Sequence, residues 1–453
     1  METYNNYYFI GIGGIGMSAI ARYFNHAGYC VSGYDRTPSP LTAQLEKEGI
    51  AIHYEDNTDF IPKDVSHTFI IYTPAIPEDM GELKYVFEHG YAVCKRSRAL
   101  GEIARGQECL AIAGTHGKTT TSTLLAHIIK DSGEGCNAFL GGISKNYDSN
   151  LLLSRTKVLV AEADEFDRSF LQLFPHIAAI TSADADPLDI YDDHAHVIEA
   201  FGDFASQIDA GGALVLKYGV TIPLEKVSAK IWRYSYDTPC DFYASDLISK
   251  DNGGFDFTLN WPEGKIEHCT VGIPGWVNVE NAVAASAVAL LHGTSPESVK
   301  KALASYQGVK RRFDIHVNTP KHAYVDDYAH HPNEIKAAIS SIRNIFKGRK
   351  LCGIFQPHLF TSTRDFADDF AEALSGLDSL VMLPIYPARE LPIEGVSAYT
   401  IFDKVTLEDK VLVEKDALME TLKSKDLDVL ISFGAGDIDR FITPIEEYIK
   451  SIC

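Results

Sequence analysis

A short glycine-rich segment at 114–121 (GTHGKTTT) carries the residues best suited to phosphate chemistry. It follows the apolar run CLAIA at 109–113 and precedes an amphipathic run, which is the order strand, turn, helix. In that arrangement, backbone N–H groups and a helix N-terminus point at a phosphate. Lys118 would then reach the β- and γ-phosphates, and the hydroxyl of Thr119 or Thr120 would reach Mg²⁺.

The spacing of this loop is shorter than that of the common nucleotide loop, G-x-x-x-x-G-K-[ST]. Ile112 stands where that pattern has its first glycine, and Gly114 lies three residues before Gly117. The alternative is a chance glycine turn beside a lysine. The strand before the loop and the helix after it favour phosphate binding.

Acidic residues follow two apolar runs in the same part of the chain. Glu162, Asp164 and Glu165 come after the first run, and the segment DADPLD at 184–189 comes after the second. Mg²⁺ prefers hard oxygen ligands together with phosphate oxygens. A solvated acidic turn is the alternative, but the position after a buried strand in a nucleotide domain favours a metal site.

A second glycine cluster, GIGGIG at 11–16, lies between an apolar run and a helical pattern, and the next apolar run ends at Asp35. This β-α-β pattern is typical of dinucleotide-binding folds and would indicate a hydride-transfer enzyme. Any diphosphate-binding β-α-β unit, or only a tight strand–helix junction, gives the same pattern. The separate ATP-type loop argues against NAD.

The last third of the chain places histidines beside carboxylates directly after an apolar run, in the string DDYAHHP at 326–332. Such residues either bind a metal or position a substrate, since sites of α/β proteins lie at the carboxyl ends of strands. Similar placement is predicted for Gln356 with His358 and Arg364, and for the segment 434–437. The basic residues at 310–312 either meet phosphates or form a solvated linker.

The elements that must position these residues form an α/β protein of three domains. Short apolar runs alternate with helical patterns, which is typical of parallel sheets. We predict a Rossmann-like domain at 1–106, a central P-loop ATPase-like α/β domain at 107–309 and a C-terminal Rossmann-like α/β domain at 310–453. Period-2 alternation between about 231 and 272 predicts a half-buried antiparallel patch within the central domain.

Bulk composition limits the classes of partner. The chain has 453 residues and a formal net charge of −21, which argues against nucleic acid or an anionic membrane as main partner. Its eight cysteines form no C-x-x-C pair, so neither a zinc ribbon nor a disulfide framework is indicated. Glycines break the apolar stretch near the N-terminus, which predicts a strand and turn and not a signal peptide. No apolar run approaches about 20 residues, and we expect a cytoplasmic protein.

Taken together, these motifs resemble those of the Mur ligases over nearly the whole chain. Further marks of the resemblance are PG at 274–275 with Asn278 and Asn281, GVKRRF at 308–313, FQPH at 355–358 and YPA at 386–388. The string DDYAHHP is the one that separates the alanine-adding branch from most other branches.

The resemblance implies an ATP-dependent amide ligase of peptidoglycan precursor synthesis. Such an enzyme joins L-alanine to the lactyl carboxylate of UDP-N-acetylmuramate through an acyl phosphate. The first domain would hold the UDP-sugar, so its glycine loop would serve a nucleotide sugar and not NAD. The central domain would bind ATP and Mg²⁺, and the third would close over the site with the amino acid. A monomer or a homodimer is expected.

The resemblance also assigns roles by position. The residues near the reacting groups would be Lys118, His116 and His330. ATP would be bound by Gly114, Thr115, His116, Gly117, Lys118, Thr119, Thr120, Asn278 and Asn281. The UDP-sugar and the amino acid would be bound by Gly13, Gly14, Ile15, Gly16, Asp35, Ala75, Arg312, Tyr328, His330, His358 and Arg364. Mg²⁺ would be bound by Thr119 and Glu162.

The chain departs from the family pattern at three positions. Pro187 replaces a histidine that helps to bind a second Mg²⁺, so that Asp186, Asp189 or a water would have to compensate. Val277 replaces a histidine before Asn278, and Ser362 replaces an arginine. Alternatives are therefore a related ligase that adds another amino acid or a peptide, a weakly active paralogue, or a binding protein without turnover.

Overall fold

The computed structural model describes residues 4–183, 194–250, 252–388 and 390–453, and for 166, 167, 194 and 195 the backbone alone. The chain divides into two compact units, one of residues 1–250 with 254–308 and one of 251–253 with 309–453. Three separate sheets lie within these two units.

The first sheet is the predicted Rossmann-like one. Its parallel strands are β1 (Asn6–Ile10), β2 (Cys30–Tyr34), β3 (Ala51–His53), β4 (Thr68–Tyr72) and β5 (Ala92–Lys95), in the order β3-β2-β1-β4-β5. The helices are α1 (Ile15–His26), α2 (Pro40–Lys47), α3 (Gly81–Glu88) and α4 (Arg96–Ala104). Since strand order reverses between β1 and β4, the glycine loop after β1 lies at the switch point where such sheets bind ligands.

The second sheet has ten strands in the order β15-β14-β13-β12-β11-β10-β6-β9-β7-β8. They are β6 (Glu108–Ala113), β7 (Asn137–Ser144), β8 (Ser149–Leu152), β9 (Val158–Ala163), β10 (Ile177–Ile180), β11 (Ala213–Lys217), β12 (Lys230–Ser235), β13 (Phe242–Ser249), β14 (Phe255–Trp261) and β15 (Gly264–Thr270). The helices are α5 (Lys118–Asp131), α6 (His194–Ser206), α7 (Trp276–His292) and α8 (Pro296–Ser305).

The predicted antiparallel patch is correct for β13, β14 and β15 and wrong for β12. β12 pairs parallel with β11 through Leu214 and Ile231, and parallel with β13 through Tyr234 and Phe242. The physical reason is that period-2 alternation shows only which face of a strand is buried. A strand has the same alternation whether it pairs parallel or antiparallel with its neighbour.

The third sheet lies in the second unit, in the order β16-β17-β21-β18-β19-β20. Its strands are β16 (Asp314–Asn318), β17 (Ala323–Asp327), β18 (Leu351–Phe355), β19 (Ser379–Met382), β20 (Lys410–Leu412) and β21 (Val429–Phe433). Only the edge strand β16 is antiparallel among these described strands. The helices are α9 (Pro332–Ile345), α10 (Phe360–Asp365), α11 (Ala367–Leu374), α12 (Tyr399–Phe402), α13 (Leu418–Lys423) and α14 (Ile442–Ile452).

The first two sheets share one apolar core. Ile20 and Phe24 on α1 belong to the same buried cluster as Phe139 on β7 and Leu151 on β8. Tyr23 extends this contact with its ring centroid 5.7 Å from that of Phe139. Helix α1 is therefore packed on both sides, which explains why the first two predicted domains form a single compact unit. The predicted boundary near residue 106 stays a prediction.

No helix in the described part of the chain combines the length and the apolar character needed to cross a bilayer.

Candidate functional site

The turn between β6 and α5 is built on two glycines with positive φ. Gly114 has φ +136° and Gly117 has φ +79°, conformations that disfavour any residue with a Cβ. A Cβ at Gly114 would also lie 2.1 Å from Oγ1 of Thr181. The end of β10 holds the turn from outside, because His116 donates its N–H to Oγ of Ser182 (2.8 Å) and accepts from the Thr181 hydroxyl.

Lys118, the first residue of α5, is mostly buried and makes three hydrogen bonds. Its Nζ donates to the Gly114 carbonyl (2.5 Å) and to both carboxylate oxygens of Glu165 (2.8 and 2.7 Å). Burial alone would lower the pKa of Lys118, but Glu165, Asp164 and Glu162 together raise it. Lys118 is therefore a fixed cation at the N-terminus of a helix, in the place where a nucleotide loop binds terminal phosphates.

Glu165 is the counter-charge of this cation. Burial raises the pKa of its carboxyl to about 7, with Lys118 opposing the shift. A phosphate that bound at Lys118 would compete with this carboxylate, because both are anionic acceptors for the same ammonium group.

Thr119 and Glu162 present two hard oxygens side by side. Oγ1 of Thr119 lies 3.1 Å from Oε1 of Glu162, and Gly141 donates its N–H to the other oxygen of Glu162 (3.1 Å). This donor set fits Mg²⁺, which typically takes one or two protein oxygens and completes its shell with phosphate and water. Within the described residues, no cluster of three His, Cys, Asp or Glu is arranged to hold a metal ion.

The proposed second metal site falls outside the described residues. The acidic segment with Asp186, Pro187 and Asp189 belongs to 184–193. The role of Pro187 there stays a prediction.

Helix α7 runs beside the phosphate loop. Asn281 accepts a hydrogen bond at Oδ1 from the Thr121 hydroxyl (3.3 Å). A Cβ added at Gly117 would lie 2.9 Å from the same oxygen. Asn278 donates to the Pro274 carbonyl (2.6 Å) and fixes the first turn of the helix. The structure thus brings Asn281 to the loop, and Asn281 in turn donates to Oδ1 of Asn278 (3.5 Å). Thr120 is tied in through its carbonyl, which accepts from the Tyr306 hydroxyl (3.3 Å).

The glycine loop of the first sheet is held by backbone contacts. Gly11 and Ile12 both donate to the Tyr34 carbonyl (2.8 and 2.9 Å), and Gly13 donates to Oδ2 of Asp35 (2.7 Å). Gly14 caps α1 with extended backbone. Residue 15 is therefore the first of a helix whose N–H groups are open to an anion.

Two predicted ligands flank this loop. Ile15 is 36% exposed at the start of α1. Ala75 is exposed in the turn after β4, the strand next to β1. Both therefore lie at the carboxyl edge where a nucleotide sugar would bind.

Arg96 connects the glycine loop to the second sheet, and sequence reasoning missed it. A Cβ added at Gly16 would lie 2.6 Å from its Nη1, so a side chain there would force the guanidinium to shift. Its Nη2 donates to Oδ2 of Asp164 (3.1 Å), two residues beyond Glu162. No motif links residues 96 and 164, so only the fold reveals the pair.

Asn150 on β8 is a second missed connection. Its side chain is fully buried and donates to the Ile15 carbonyl (2.6 Å) and to Oγ of Ser18 (2.9 Å). It also accepts from Nη1 of Arg22 (2.7 Å). The hairpin of β7 and β8 therefore fixes the first turn of α1, and through Gly141 also contacts Glu162.

In the second unit, a row of rings follows the carboxyl ends of the strands. Ring centroids lie 5.4 Å apart for Tyr328 and His330, 5.8 Å for His330 and His358, and 5.9 Å for His358 and Tyr386. The guanidinium of Arg312 lies 5.0 Å from the centroid of Tyr328. The structure thus groups four predicted ligands, and adds Tyr386 to them.

The two carboxylates of DDYAHHP accept hydrogen bonds from different groups, Asp327 from the backbone and Asp326 from side chains. Asp327 accepts from the N–H groups of Phe313 and Ala329 (both 2.8 Å). Asp326 accepts from the Ser432 hydroxyl (2.6 Å) and from Nε of Arg311 (3.1 Å). Burial raises the pKa of Asp327 to about 6 and also raises that of Asp326.

Two other residues of this region have local partners. His331 is the N-cap of α9 and accepts at Nδ1 from the Asn333 N–H (3.4 Å). Arg364 is half-exposed and pairs with its neighbour Asp365 (2.7 Å). In the contacts described, Arg364 is not joined to the row of rings, and its role stays a prediction.

Family models match most of the chain. They are the Mur ligase family catalytic domain at 6–108, the Mur ligase middle domain at 112–289 and the Mur ligase glutamate ligase domain at 311–436.

Curated relatives match along nearly the full length. A UDP-N-acetylmuramate–L-alanine ligase of Porphyromonas gingivalis is 50% identical over 453 residues, which is 98% of this chain and 99% of the relative. The enzyme of the same name from Parabacteroides distasonis is 51% identical over 446 residues, 97% of this chain and 96% of the relative.

Solved structures share the fold. The UDP-N-acetylmuramate–alanine ligase of Thermotoga maritima superposes with a TM-score of 0.84 at 26% identity, covering 99% of this chain and 100% of that one. A murein peptide ligase of Psychrobacter arcticus gives 0.73 at 22% identity, covering 99% of each chain, and supports the fold alone. The chain belongs to the Mur ligase family.

Proposed function

We propose that the protein catalyses ATP-dependent amide formation between L-alanine and the lactyl carboxylate of UDP-N-acetylmuramate. The observation that carries this proposal is the pair of anion-binding turns in one compact unit. One turn carries Lys118 and Thr119 beside strand β9, and the other is the glycine loop at 11–16, which Arg96 links to the end of β9 through Asp164. The names of the full-length relatives agree with this substrate pair.

The chemistry needs an activated carboxylate. A carboxylate oxygen would attack the γ-phosphorus of ATP, and ADP would leave. The amine of L-alanine would then attack the acyl carbon, and phosphate would leave with the electrons of the broken C–O bond. Lys118 would neutralise charge on the transferred phosphoryl group, which is the main contribution a protein makes to this step.

Thr119 and Glu162 would hold a Mg²⁺ ion, which when bound neutralises phosphate charge. Glu162→Gln keeps the shape of the side chain but removes the charge that attracts the cation. We expect the Mg²⁺ concentration for half-maximal activity to rise roughly tenfold, with Glu134→Gln, an exposed control, unchanged. An unchanged Mg²⁺ titration in Glu162→Gln would remove this residue from the metal site.

In the second unit, we propose that Tyr328 and His330 contact the alanine. The imidazole of His330 would accept the proton that the alanine ammonium must lose before it attacks. Nδ1 of His330 lies 3.1 Å from the Tyr328 carbonyl, so Nε2 is the nitrogen left for this role. His116, in the phosphate loop, would lie near the transferred phosphoryl group. We propose a monomer or a homodimer.

The test is release of ADP by the purified protein with UDP-N-acetylmuramate and Mg²⁺, with each amino acid supplied in turn. We expect release with L-alanine. Release only with glycine, serine or a tripeptide would mean that this compound, and not L-alanine, is the acceptor. No release with any acceptor would favour a protein that binds nucleotide without turnover.

A further inference from the structure

Two loops at the carboxyl edge of the third sheet are paired through their backbones. One follows β18 and contains His358, and the other follows β19 and contains Tyr386. Tyr386 donates its N–H to the Pro357 carbonyl (2.8 Å), and its own carbonyl accepts from the Leu359 N–H (3.0 Å). This parallel bridge holds the backbone of His358 against that of Tyr386, so that their rings stack with centroids 5.9 Å apart.

The backbone directly after His358 takes an unusual conformation. Leu359 has φ +69°, in the left-handed region that a bulky residue seldom occupies. Such a conformation costs about 1–3 kcal/mol and persists only where neighbouring contacts enforce it. The contacts of the next two residues therefore decide how rigidly His358 is held.

Glu390 supplies those contacts. Its Oε2 accepts from the N–H groups of Phe360 (2.6 Å) and Thr361 (3.0 Å), and its Oε1 accepts from the Thr361 hydroxyl. Glu390 lies on the same loop as Tyr386, in a turn that its own N–H closes by donating to the Pro387 carbonyl (2.8 Å). The loop after β19 therefore holds the loop after β18 at two points.

The histidine held in this way belongs to the row of rings. The His358 ring lies 5.8 Å from that of His330, at an angle of 78°, and His330 is the residue that would take the proton of the alanine ammonium. A shift of the His358 backbone would therefore move one wall of the amino-acid site. A misplacement of about 1 Å in a site can lower a rate roughly 10²-fold, even when the substituted residue lies away from the reacting atoms.

We propose that Glu390 is a positioning residue of the amino-acid site, which holds His358, and through it the row of rings, in place for the acceptor. This inference rests on the proposed function, because that function makes the row of rings the acceptor site. The alternative is a local role, in which Glu390 only caps α10 and contributes about 0.5–2 kcal/mol of stability. The two roles differ in whether the acceptor site changes when Glu390 is replaced.

The geometry of the contacts predicts which substitutions Glu390 tolerates. Both N–H groups bond to one carboxylate oxygen. In Glu390→Gln, the amide oxygen can take that place while the amide nitrogen faces the Thr361 hydroxyl. Glu390→Asp keeps the charge, but its side chain is one methylene too short to keep both bonds. Glu390→Gln should therefore resemble the wild type, and Glu390→Asp should be impaired.

Steady-state kinetics supply the first readout. In Glu390→Asp, we expect the KM for L-alanine to rise about 10- to 100-fold, with the KM values for ATP and UDP-N-acetylmuramate within about twofold of wild type. Glu390→Gln should keep all three values close to wild type, and so should Glu394→Ala, an exposed change on the same loop. A normal KM for L-alanine in Glu390→Asp would overturn the proposal, and so would a rise in Glu390→Gln that equals or exceeds it.

Histidine resonances supply a second readout, which needs no substrate. The ring Cε1–H signals of His330 and His358 can be assigned through His330→Gln and His358→Gln, and the signal of His292, in the first unit, serves as the reference. Both signals should shift in Glu390→Asp and stay in place in Glu390→Gln, because only Glu390→Asp loses the contacts to the backbone. Unchanged signals in Glu390→Asp would contradict the positioning role.

The inference and the proposed function can fail separately. Wild-type protein that releases no ADP with L-alanine would reject the proposed acceptor, while the histidine signals would still report whether Glu390 positions His358. ADP release by the wild type, with the histidine signals and the KM for L-alanine unchanged in Glu390→Asp, would keep the ligase and reject the positioning role.

Discussion

The first unit has two glycine turns, the first turn after β1 and the second turn after β6. They differ in the contacts that hold them. In the loop after β6, charged side chains fill the anion site, since Lys118 contacts Glu165 and Thr119 contacts Glu162. In the loop after β1, the described contacts are mainly backbone ones, and Asp35 accepts from the Gly13 N–H. A site that transfers a phosphoryl group needs charge at fixed positions, whereas a site that only holds a diphosphate can rely on N–H groups and a helix N-terminus.

The sharpest test of this difference is removal of the cation of the second turn. Lys118→Ala should lower turnover on the order of 10²-fold or more, because a preorganised charge partner of the phosphoryl group is lost. The measurement is the rate of ADP release at saturating substrates. Lys130→Ala, at an exposed position on the same helix, serves as the control. Near-normal turnover in Lys118→Ala would remove the distinction between the turns.

In the first turn, Asp35 is the side chain whose loss should matter. Asp35→Ala leaves the Gly13 N–H without its charged acceptor, so the loop loses a hydrogen bond that holds its shape. We expect the KM for UDP-N-acetylmuramate to rise roughly tenfold, with the KM for ATP unchanged.

Asp59→Ala, an exposed change in the same sheet region, is the control for Asp35→Ala. A rise in the ATP KM instead would mean that the two turns do not act on separate ligands. Tight binding of NADH, measured by fluorescence, would mean that the first turn binds a dinucleotide.

Both turns show what could be predicted from sequence. Gly114, Gly117 and Lys118 lie within one short motif, so their mutual placement follows from local backbone geometry. The pairs Arg96–Asp164 and Lys118–Glu165 join residues 68 and 47 positions apart, and no periodic pattern encodes which side chain meets which. The sequence marks Glu165 as one of several carboxylates after an apolar run, but does not identify it as the partner of Lys118.

The fold was predictable to a similar depth. Buried parallel strands read as apolar runs, which located β1, β6 and β17 directly. The parallel pairing of β12 was not predictable, because alternation does not report direction. The shared core of the first two sheets was also missed, since it depends on contacts between α1 and β7 that cross a predicted domain boundary.

That shared core suggests a third test of the first turn, through stability. Asn150→Ala would remove one of the donors to the Ile15 carbonyl and the acceptor of Nη1 of Arg22 in a buried position. We expect a loss of about 1–3 kcal/mol in the free energy of unfolding, measured by denaturant titration. Gln44→Ala removes only an exposed bond to Glu48 and should cost far less. Equal losses in both variants would mean that Asn150 does not anchor α1.

The smallest expected effect concerns pH at the second turn. The pKa of Glu165 is raised to about 7, so its carboxylate form prevails above pH 7 and competes with phosphate for Lys118. Below pH 7 the carboxyl is protonated, and the ammonium is released to the nucleotide.

The affinity of the wild-type protein for ATP should therefore rise a few-fold as pH falls from 8 to 6. Glu165→Gln should show a flatter profile, because its amide does not titrate, while titration of the γ-phosphate itself is common to both proteins. The measurement is the Kd for ATP at each pH by calorimetry. Parallel profiles would mean that Glu165 does not change protonation when phosphate binds. The contact between Glu165 and Lys118 would then stabilise the second turn without affecting ATP binding.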